Sequence, residues 1–338
     1  MTRSALIALL VAPMVFGGTR SLANAAAAPK YTVRDLGSLF TPLYSTVPTA
    51  VNDRGIVVGQ SCSRRGTCAA FAWNGMLHRI PVPFDGDATD VNDRGTVVGN
   101  GFVYADERLI SLGTSSGELD LGRINNTGVV IATSFGSALS AAYVARPPGY
   151  AAEIVPGIKY GEGIAINDLG DLLLYGSVDR SPLGYFVRRQ SNFFPVGSQL
   201  REFTGTAIDN SDDVAGFNLL NSSTLLCHAI VYRLSSRTTI DIGPLSADYP
   251  STRAWAINDH GAVVGGAGFK GSFNEAEHAF YWDPRVGILD LNQAVGPTRY
   301  DITIATAINN RGQIVAVGLL PGESEGINAH ALLLTPLL

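Results

Sequence analysis

The chain is short of charge, short of cysteine and, after its first two dozen residues, without any long apolar run. Each shortage excludes something. Charged residues make up 16% of it, 24 Lys and Arg against 29 Asp and Glu, with no basic run. A phosphate backbone or an anionic lipid surface would be repelled by such a chain, so nucleic acid is not an expected partner. No segment beyond the N-terminus is apolar for long enough to span a membrane. Gly-x-Ser-x-Gly, a phosphate-binding loop and a dinucleotide fingerprint are all missing, which removes the enzymes built on them. No His pair has metal-ligand spacing, and Asp85-Gly86-Asp87 with Asp90 lacks the spacing and terminal Glu of a calcium loop. Neither a metal nor a cofactor is expected.

The three cysteines allow one bridge at most. Cys62 and Cys68 flank a five-residue loop, and in an oxidising compartment they would pair. Closing so short a loop contributes about 2 kcal/mol on the chain-entropy estimate. Cys227 is left over as a buried free thiol.

At the N-terminus Arg3 precedes an apolar stretch over residues 5–16, and Ala23-Asn24-Ala25 has the small-x-small pattern of a cleavage site. This predicts a signal peptide over residues 1–25, a mature chain over residues 26–338, and a secreted or extracytoplasmic location. Losing Arg3 and Arg20 leaves 22 basic against 29 acidic groups, a net charge of −7. High Gly and abundant Val, Ile and Leu fit an all-β, turn-rich globular protein rather than disorder.

The mature chain is organised by a repeat. Ala50-Val51-Asn52-Asp53-Arg54-Gly55-Ile56-Val57-Val58-Gly59 reads as a β-hairpin. Its Asn can hydrogen-bond the backbone two residues on, and its Gly supplies the positive φ that closes the turn. The turn returns at Asn92, Asn125, Asn167, Asn258 and Asn309, and decays at Asp209-Asn210-Ser211-Asp212. The period from 52 to 309 is about 43 residues, the size of a four-stranded propeller blade. Each unit adds a C-type strand such as Ala70-Phe71-Ala72-Trp73 and a D-type strand such as Asp35-Leu36-Gly37. Strands A and B come from the hairpin. The expected fold is a single all-β domain, a seven-bladed β-propeller of four-stranded blades. Its phase opens on a D-type strand (residues 31–37) and closes on a C-type strand (residues 330–336), so the N-terminal strand should pair with the C-terminal strand and close the ring.

The unit His-Ala-Phe, Asp-Leu-Gly, Ala-x-Ile-Asn-x-x-Gly-x-Val-Val-Gly resembles the bacterial HAF-type extracellular repeat. His278-Ala279-Phe280 matches it literally, and the likeness covers residues 31–336. The resemblance implies export and a β-repeat architecture, with no activity that can be carried onto residues. The His is missing from the first four units, which makes it a structural residue.

Long variable connections gather on the face where the A strands begin, and irregular loops on a rigid ring commonly carry function. Two residues before the turn Asn, five units have Ala, but the second and third have Asp90 and Arg123. Five residues before it stand Asp87, Asp120, Glu162 and Arg253 in four units. On innermost strands these departures would bring carboxylates and guanidinium groups to the channel mouth. Tyr160, Trp255, Arg299 and Tyr300 would supply a stacking surface. The plainer alternative makes Asp90 and Arg123 an inter-blade ion pair and the rest a solvated rim. The functional expectation is a monomeric binding or scaffolding propeller for an extracellular glycan, peptide or protein ligand. Its rival is an exported carbohydrate-active enzyme, a polysaccharide lyase or glycoside hydrolase, using Asp87, Asp120, Glu162 or Tyr160.

Overall fold

Each turn closes as its residues require. Gly55 N–H donates to the Asn52 carbonyl at 2.9 Å, and Asn52 Oδ1 accepts from Arg54 N–H (3.1 Å) and Ile56 N–H (2.9 Å). Gly55 sits at φ +79°, where a side chain would be strained. In the decayed copy Asp212 takes that conformation at φ +60° and still donates to the Asp209 carbonyl. The structure is a computed structural model that describes residues 28–41, 43–82, 86–114, 117–135, 140–200, 202–268, 276–323 and 328–337. The expected signal peptide, Asp85 and parts of two long connections (269–275 and 324–327) lie outside the described residues.

In unit 1 the A strand Leu43–Val51 pairs with Val57–Ser63, that with Cys68–Trp73, and that with Leu77–Arg79. Units 2 to 5 repeat this antiparallel order on the A strands Ala88–Val91, Asp120–Ile124, Ile158–Ile166 and Phe203–Ile208. The fold is therefore an all-β propeller with five separate four-stranded blades.

The expectation of seven separate blades needs correcting, because eight of the remaining ten strands form one sheet, the other two (Gly113–Thr114 and Gly117–Glu118) making a small ribbon. Units 6 and 7 are joined in it by one residue pair, Gly266 opposite Ile304. The reason is local. Eight residues after the turn Asn, other units carry Gln60, Asn100, Thr133, Tyr175, Phe217 or Val317; unit 6 has Gly266. Without a side chain there, the A strand of unit 7, Asp301–Ile308, comes within pairing distance. At the far edge of this sheet Tyr31–Asp35 pairs antiparallel with His330–Pro336, Tyr31 opposite Pro336 and Asp35 opposite Leu332.

Every A strand carries a register shift against its B strand three residues or so before the turn, as between Pro48 and Ala50 or Ala254 and Ala256. Such β-bulges bend the strand and re-aim a side chain. The core lies between neighbouring units rather than inside each one. Ala50, Val58 and Ala70 of unit 1 pack on Val91, Val97 and Phe102 of unit 2, and similar clusters follow around the molecule. Val315, Ala331 and Leu333 of unit 7 meet Val51, Val57, Phe71 and Trp73 of unit 1 in the same way.

Cys62 and Cys68 are disulfide-bonded, and Cys227 is free and buried. No helix among the described residues is long and apolar enough to cross a membrane.

Candidate functional site

The axis of the molecule has two ends of different character. At the turn end each turn's first Asn donates its side-chain amide to the next turn's carbonyl. The chain of bonds runs Asn52 to Asn92, Asn92 to Asn125, Asn125 to Asn167 and Asn167 to Asp209, at 2.7–3.2 Å. It resumes from Asn258 to Asn309 and returns from Asn309 to the Asn52 carbonyl at 2.7 Å. A second circle runs beside it. The backbone N–H of Asp53 donates to Asp93 Oδ1, Asp93 to Asn126, Asn126 to Asp168 and Asp168 to Asn210, at 2.7–2.8 Å. Asn210 then donates to Asp259, Asp259 to Asn310 and Asn310 back to Asp53, at 2.7–3.0 Å. These side chains line a small cavity of about 200 Å³.

Toward the opposite face the axis widens into a cavity of about 360 Å³. Its wall takes the bulge residue from five units: Thr49, Ile164, Thr206, Trp255 and Thr306. In four units the residue three before the turn Asn is Thr, whose hydroxyl crosses to the next unit. Thr49 donates to Ala88 O (2.6 Å), Thr89 to Gly122 O (2.6 Å), Thr206 to Ala254 O (3.1 Å) and Thr306 to Pro48 O (2.9 Å). Units 3, 4 and 6 have Gly122, Ile164 and Trp255 at that place and lose the bond.

Two of the predicted residues meet in this cavity, Arg123 and Trp255. Arg123 is the one charged side chain in the described wall; its Nη1 donates only to the neighbouring Gly122 O at 3.2 Å. The indole N–H of Trp255 is buried with no partner among the described residues. Thr49, Thr206 and Thr306 in the wall were not singled out from sequence, although Thr recurring three before the turn was a readable signal.

The acids stand back from the wall. Asp90 Oδ1 accepts from Val91 N–H (2.8 Å) and Oδ2 from Ile124 N–H of the next unit (2.9 Å). The inter-blade ion pair of the plainer reading is thus replaced: Asp90 grips the neighbouring backbone, and no ion pair with Arg123 forms among the described residues. Burial pushes the Asp87 and Asp90 carboxyls up, and the positive charge of Arg123 works against that rise in both. Asp87 Oδ1 is buried without a partner among the described residues. Asp120 is half-buried at the start of its A strand, outside the cavity wall. Glu162 lies opposite Tyr175 on the sheet of unit 4, also outside it. Tyr160 is 48% exposed at φ +54° and does not reach the cavity.

Arg253 does not project into the mouth. It is 1% exposed, with its guanidinium 5.2 Å from the Phe217 ring centre. The bulge at Trp255 lies between it and the turn, so its distance of five residues from the Asn does not fix which way it faces.

Arg299 and Tyr300 belong to another cluster, at the seam of the chain ends. Arg299 Nη2 donates to Tyr300 Oη (2.7 Å), whose hydroxyl donates to Asp35 Oδ2 (2.5 Å). His330 Nδ1 lies 3.1 Å from the same oxygen. The same pairing of a C-strand His with a D-strand Asp joins His278 to Asp290 (2.8 Å) and His228 to Asp241 (3.0 Å). The His and the D-strand Asp of the repeat are thus partners within a unit, and both are missing together from units 1 to 4. Among the described residues no group of three or more His, Cys, Asp or Glu could hold a metal ion.

The fold is shared with β-propellers of known structure. The chain is similar to the β-propeller domain of the Trilobed protease from Pyrococcus furiosus, described as having an open velcro topology, at 10% identity over 87% of this chain and 94% of that one, TM-score 0.56. It is similar to acylaminoacyl peptidase from Pyrococcus horikoshii at 8% identity and TM-score 0.56; the match takes in 89% of this chain and spans about half (53%) of that one. Virginiamycin B lyase from Staphylococcus aureus matches at 10% identity over 92% of this chain and 100% of that one, TM-score 0.50. At such identities the likeness bears on the fold alone. No protein-family model and no curated protein matches the chain.

Proposed function

We propose that the protein is an exported HAF-type binding propeller that works as a ring of seven units, the eight-stranded sheet serving as two of them. Its ligand site is the axial cavity on the loop-rich face, and it takes the end of a glycan or a peptide side chain. One observation carries this reading: the hydroxyl circle is lost in units 3, 4 and 6, and the cavity holds Arg123 from unit 3, Ile164 from unit 4 and Trp255 from unit 6. A concave, largely apolar wall with a few convergent polar groups is the usual form of a small-molecule site. Arg123 can pair with a carboxylate or bond a hydroxyl, and Trp255 offers a ring face and a free N–H. The second of the two hydrogen-bonded circles, unbroken at the turn end, favours a ligand that enters from one face and stops over one that threads through.

The described cavity wall holds no carboxylate, which supports binding over the lyase or hydrolase reading, since acid–base catalysis needs its groups within hydrogen-bond reach of the substrate. The test is a glycan and peptide array probed with the mature protein and with Arg123→Ala/Trp255→Ala. Loss of an aromatic and an Arg anchor is expected to weaken any hit by about thirtyfold or more, with an unchanged melting temperature. A hit that the double variant keeps at full affinity overturns the site. Steady release of reducing ends or unsaturated sugar from any polymer overturns the binding reading.

A further inference from the structure

A second concave site lies between units 4 and 5 and shares no wall residue with the axial cavity. It begins as a row across the sheet of unit 4. Glu162 on the A strand stands opposite Tyr175 on the B strand, and Tyr175 opposite Tyr185 on the C strand. Directly opposed residues share a face of the sheet, so one carboxylate and two phenol rings form one stripe. Phe203, at the start of the A strand of unit 5, faces that stripe. The Tyr175 and Tyr185 rings are 5.0 Å apart at 51°, and Tyr185 and Phe203 5.3 Å apart at 70°.

The space they border is about 540 Å³, with Pro182, Leu183, Pro195 and Leu200 on its walls and Glu202 at its edge. Among the described residues no Lys or Arg lines it. Two glycines let the rings sit where they do. A Cβ on Gly197, at φ +63°, would stand 2.8 Å from the Phe203 ring, and one on Gly205 3.1 Å from the Tyr185 ring. Burial, with Tyr175 beside it, pushes the Tyr185 phenol up to about 12. The Tyr185 ring therefore stays neutral at ordinary pH, and Glu162 and Glu202 are the carboxylates beside the pocket among the described residues.

We propose that this pocket binds an organic cation, a quaternary or alkylated ammonium group on a small apolar body. Aromatic faces are negative at their centres and attract cations, most strongly those that shed water easily. The rings meet at 51° and 70° and so make a corner in the pocket wall, which suits a compact group; a pyranose stacks on a flat platform, which this is not. Glu202 at the edge and Glu162 at the end of the stripe, with no basic residue in the described wall, supply charge complementarity.

The test uses choline and its neutral isostere 3,3-dimethyl-1-butanol, titrated calorimetrically into the mature protein at fixed ionic strength. Choline is expected to bind at least about tenfold more tightly than the isostere. Gly184 lies in the pocket wall with open space where a side chain would go, so Gly184→Leu should fill the pocket and abolish choline binding. Glu202→Gln, at an exposed position, should weaken it severalfold without touching the fold. Arg123→Ala/Trp255→Ala should leave it unchanged. Equal binding of choline and the isostere, binding of methyl glucoside in preference to choline, no choline binding at all, or choline binding undiminished in both Gly184→Leu and Glu202→Gln would each overturn the proposal. None of these results bears on the axial site.

Discussion

The two ends of the axis are built from the same strands, yet one keeps the repeat and the other breaks it. At the turn end each copy satisfies a buried polar group of its neighbour, so a change in one unit strands a donor or acceptor in the next. Asn52, Asn92, Asn125, Asn167, Asn258 and Asn309 are all buried there. At the loop end the threonine hydroxyls bridge neighbours in four units, and three units have given that bond up for a cavity. Uniformity marks the positions that hold the ring together, and departure marks the positions open to a ligand.

The comparison breaks if both ends respond alike to substitution. Asn309 accepts from Arg311 and Gln313 N–H and donates to the Asn52 carbonyl at 2.7 Å. Asn309→Ala orphans the buried Asn52 carbonyl and two part-buried N–H groups and is expected to cost about 2–3 kcal/mol in chemical denaturation. Arg123→Ala at the other end breaks no hydrogen bond across units and loses only its through-space attraction to Asp87 and Asp90, so it should cost no more than about 1 kcal/mol. Similar losses in the two variants would refute the division.

A smaller effect is expected at the seam. Burial alone would raise the Asp35 carboxyl, but bonds from Tyr300 and Gly37, together with His330, hold it below its usual value. Asp35→Asn keeps the shape and loses the charge, at a cost of about 1–2 kcal/mol near pH 7. Because the folded carboxyl is lowered, its contribution is present above the unfolded value of about 3.9 and is lost as pH falls through the folded one. Urea midpoints of the two proteins should therefore converge at strongly acid pH. A constant gap would remove the carboxylate from the seam.

Much of this was legible in the sequence, and what was missed has physical causes. The turns were readable because Asn at the first place and Gly at the fourth are each demanded by one backbone conformation. The pairing of Tyr31–Asp35 with His330–Pro336 followed from the phase of the repeat. The bulges were not readable. A strand alternates with period two, and one extra residue in every A strand shifts which side chains face the axis. Counting from the turn Asn therefore placed Arg123 acceptably but put Arg253 and Glu162 at the channel mouth, where neither lies, and of the aromatic residues named beside them only Trp255 reaches the described cavity wall. The merging of units 6 and 7 needs Gly266 and also a strand of the next unit within reach of it, and the glycine alone does not announce that second condition. The aromatic corner of Tyr175, Tyr185 and Phe203 is assembled from three strands of two units, with no local motif.

The first of the two turn-end circles has one missing link, and it sharpens the comparison from within. Asp209 stands where the other six units have Asn, so no amide donates from it to the Asn258 carbonyl. Its Oδ1 accepts from Ser211 and Asp213 N–H at 2.8–2.9 Å, as the Asn copies do with theirs. Burial raises its carboxyl to about 6, against those two bonds and helped by the charges of Asp213 and Asp259. Asp212 nearby is held by Arg189 and by the Asn167 amide. The folded state thus takes up a proton more readily than the unfolded chain. Stability from this group is complete below the unfolded value of about 3.9 and is lost as pH rises through about 6. The protonated acid has an O–H to offer where the ring lacks an N–H; the carboxylate has none. Asp209→Asn should therefore stabilise the protein by about 1 kcal/mol at pH 8, allowing for solvent screening, and by nothing measurable at pH 4. Thermal melts at both values decide it. A gain that persists unchanged at pH 4, or no gain at pH 8, would show that the ring is indifferent to its one acidic member.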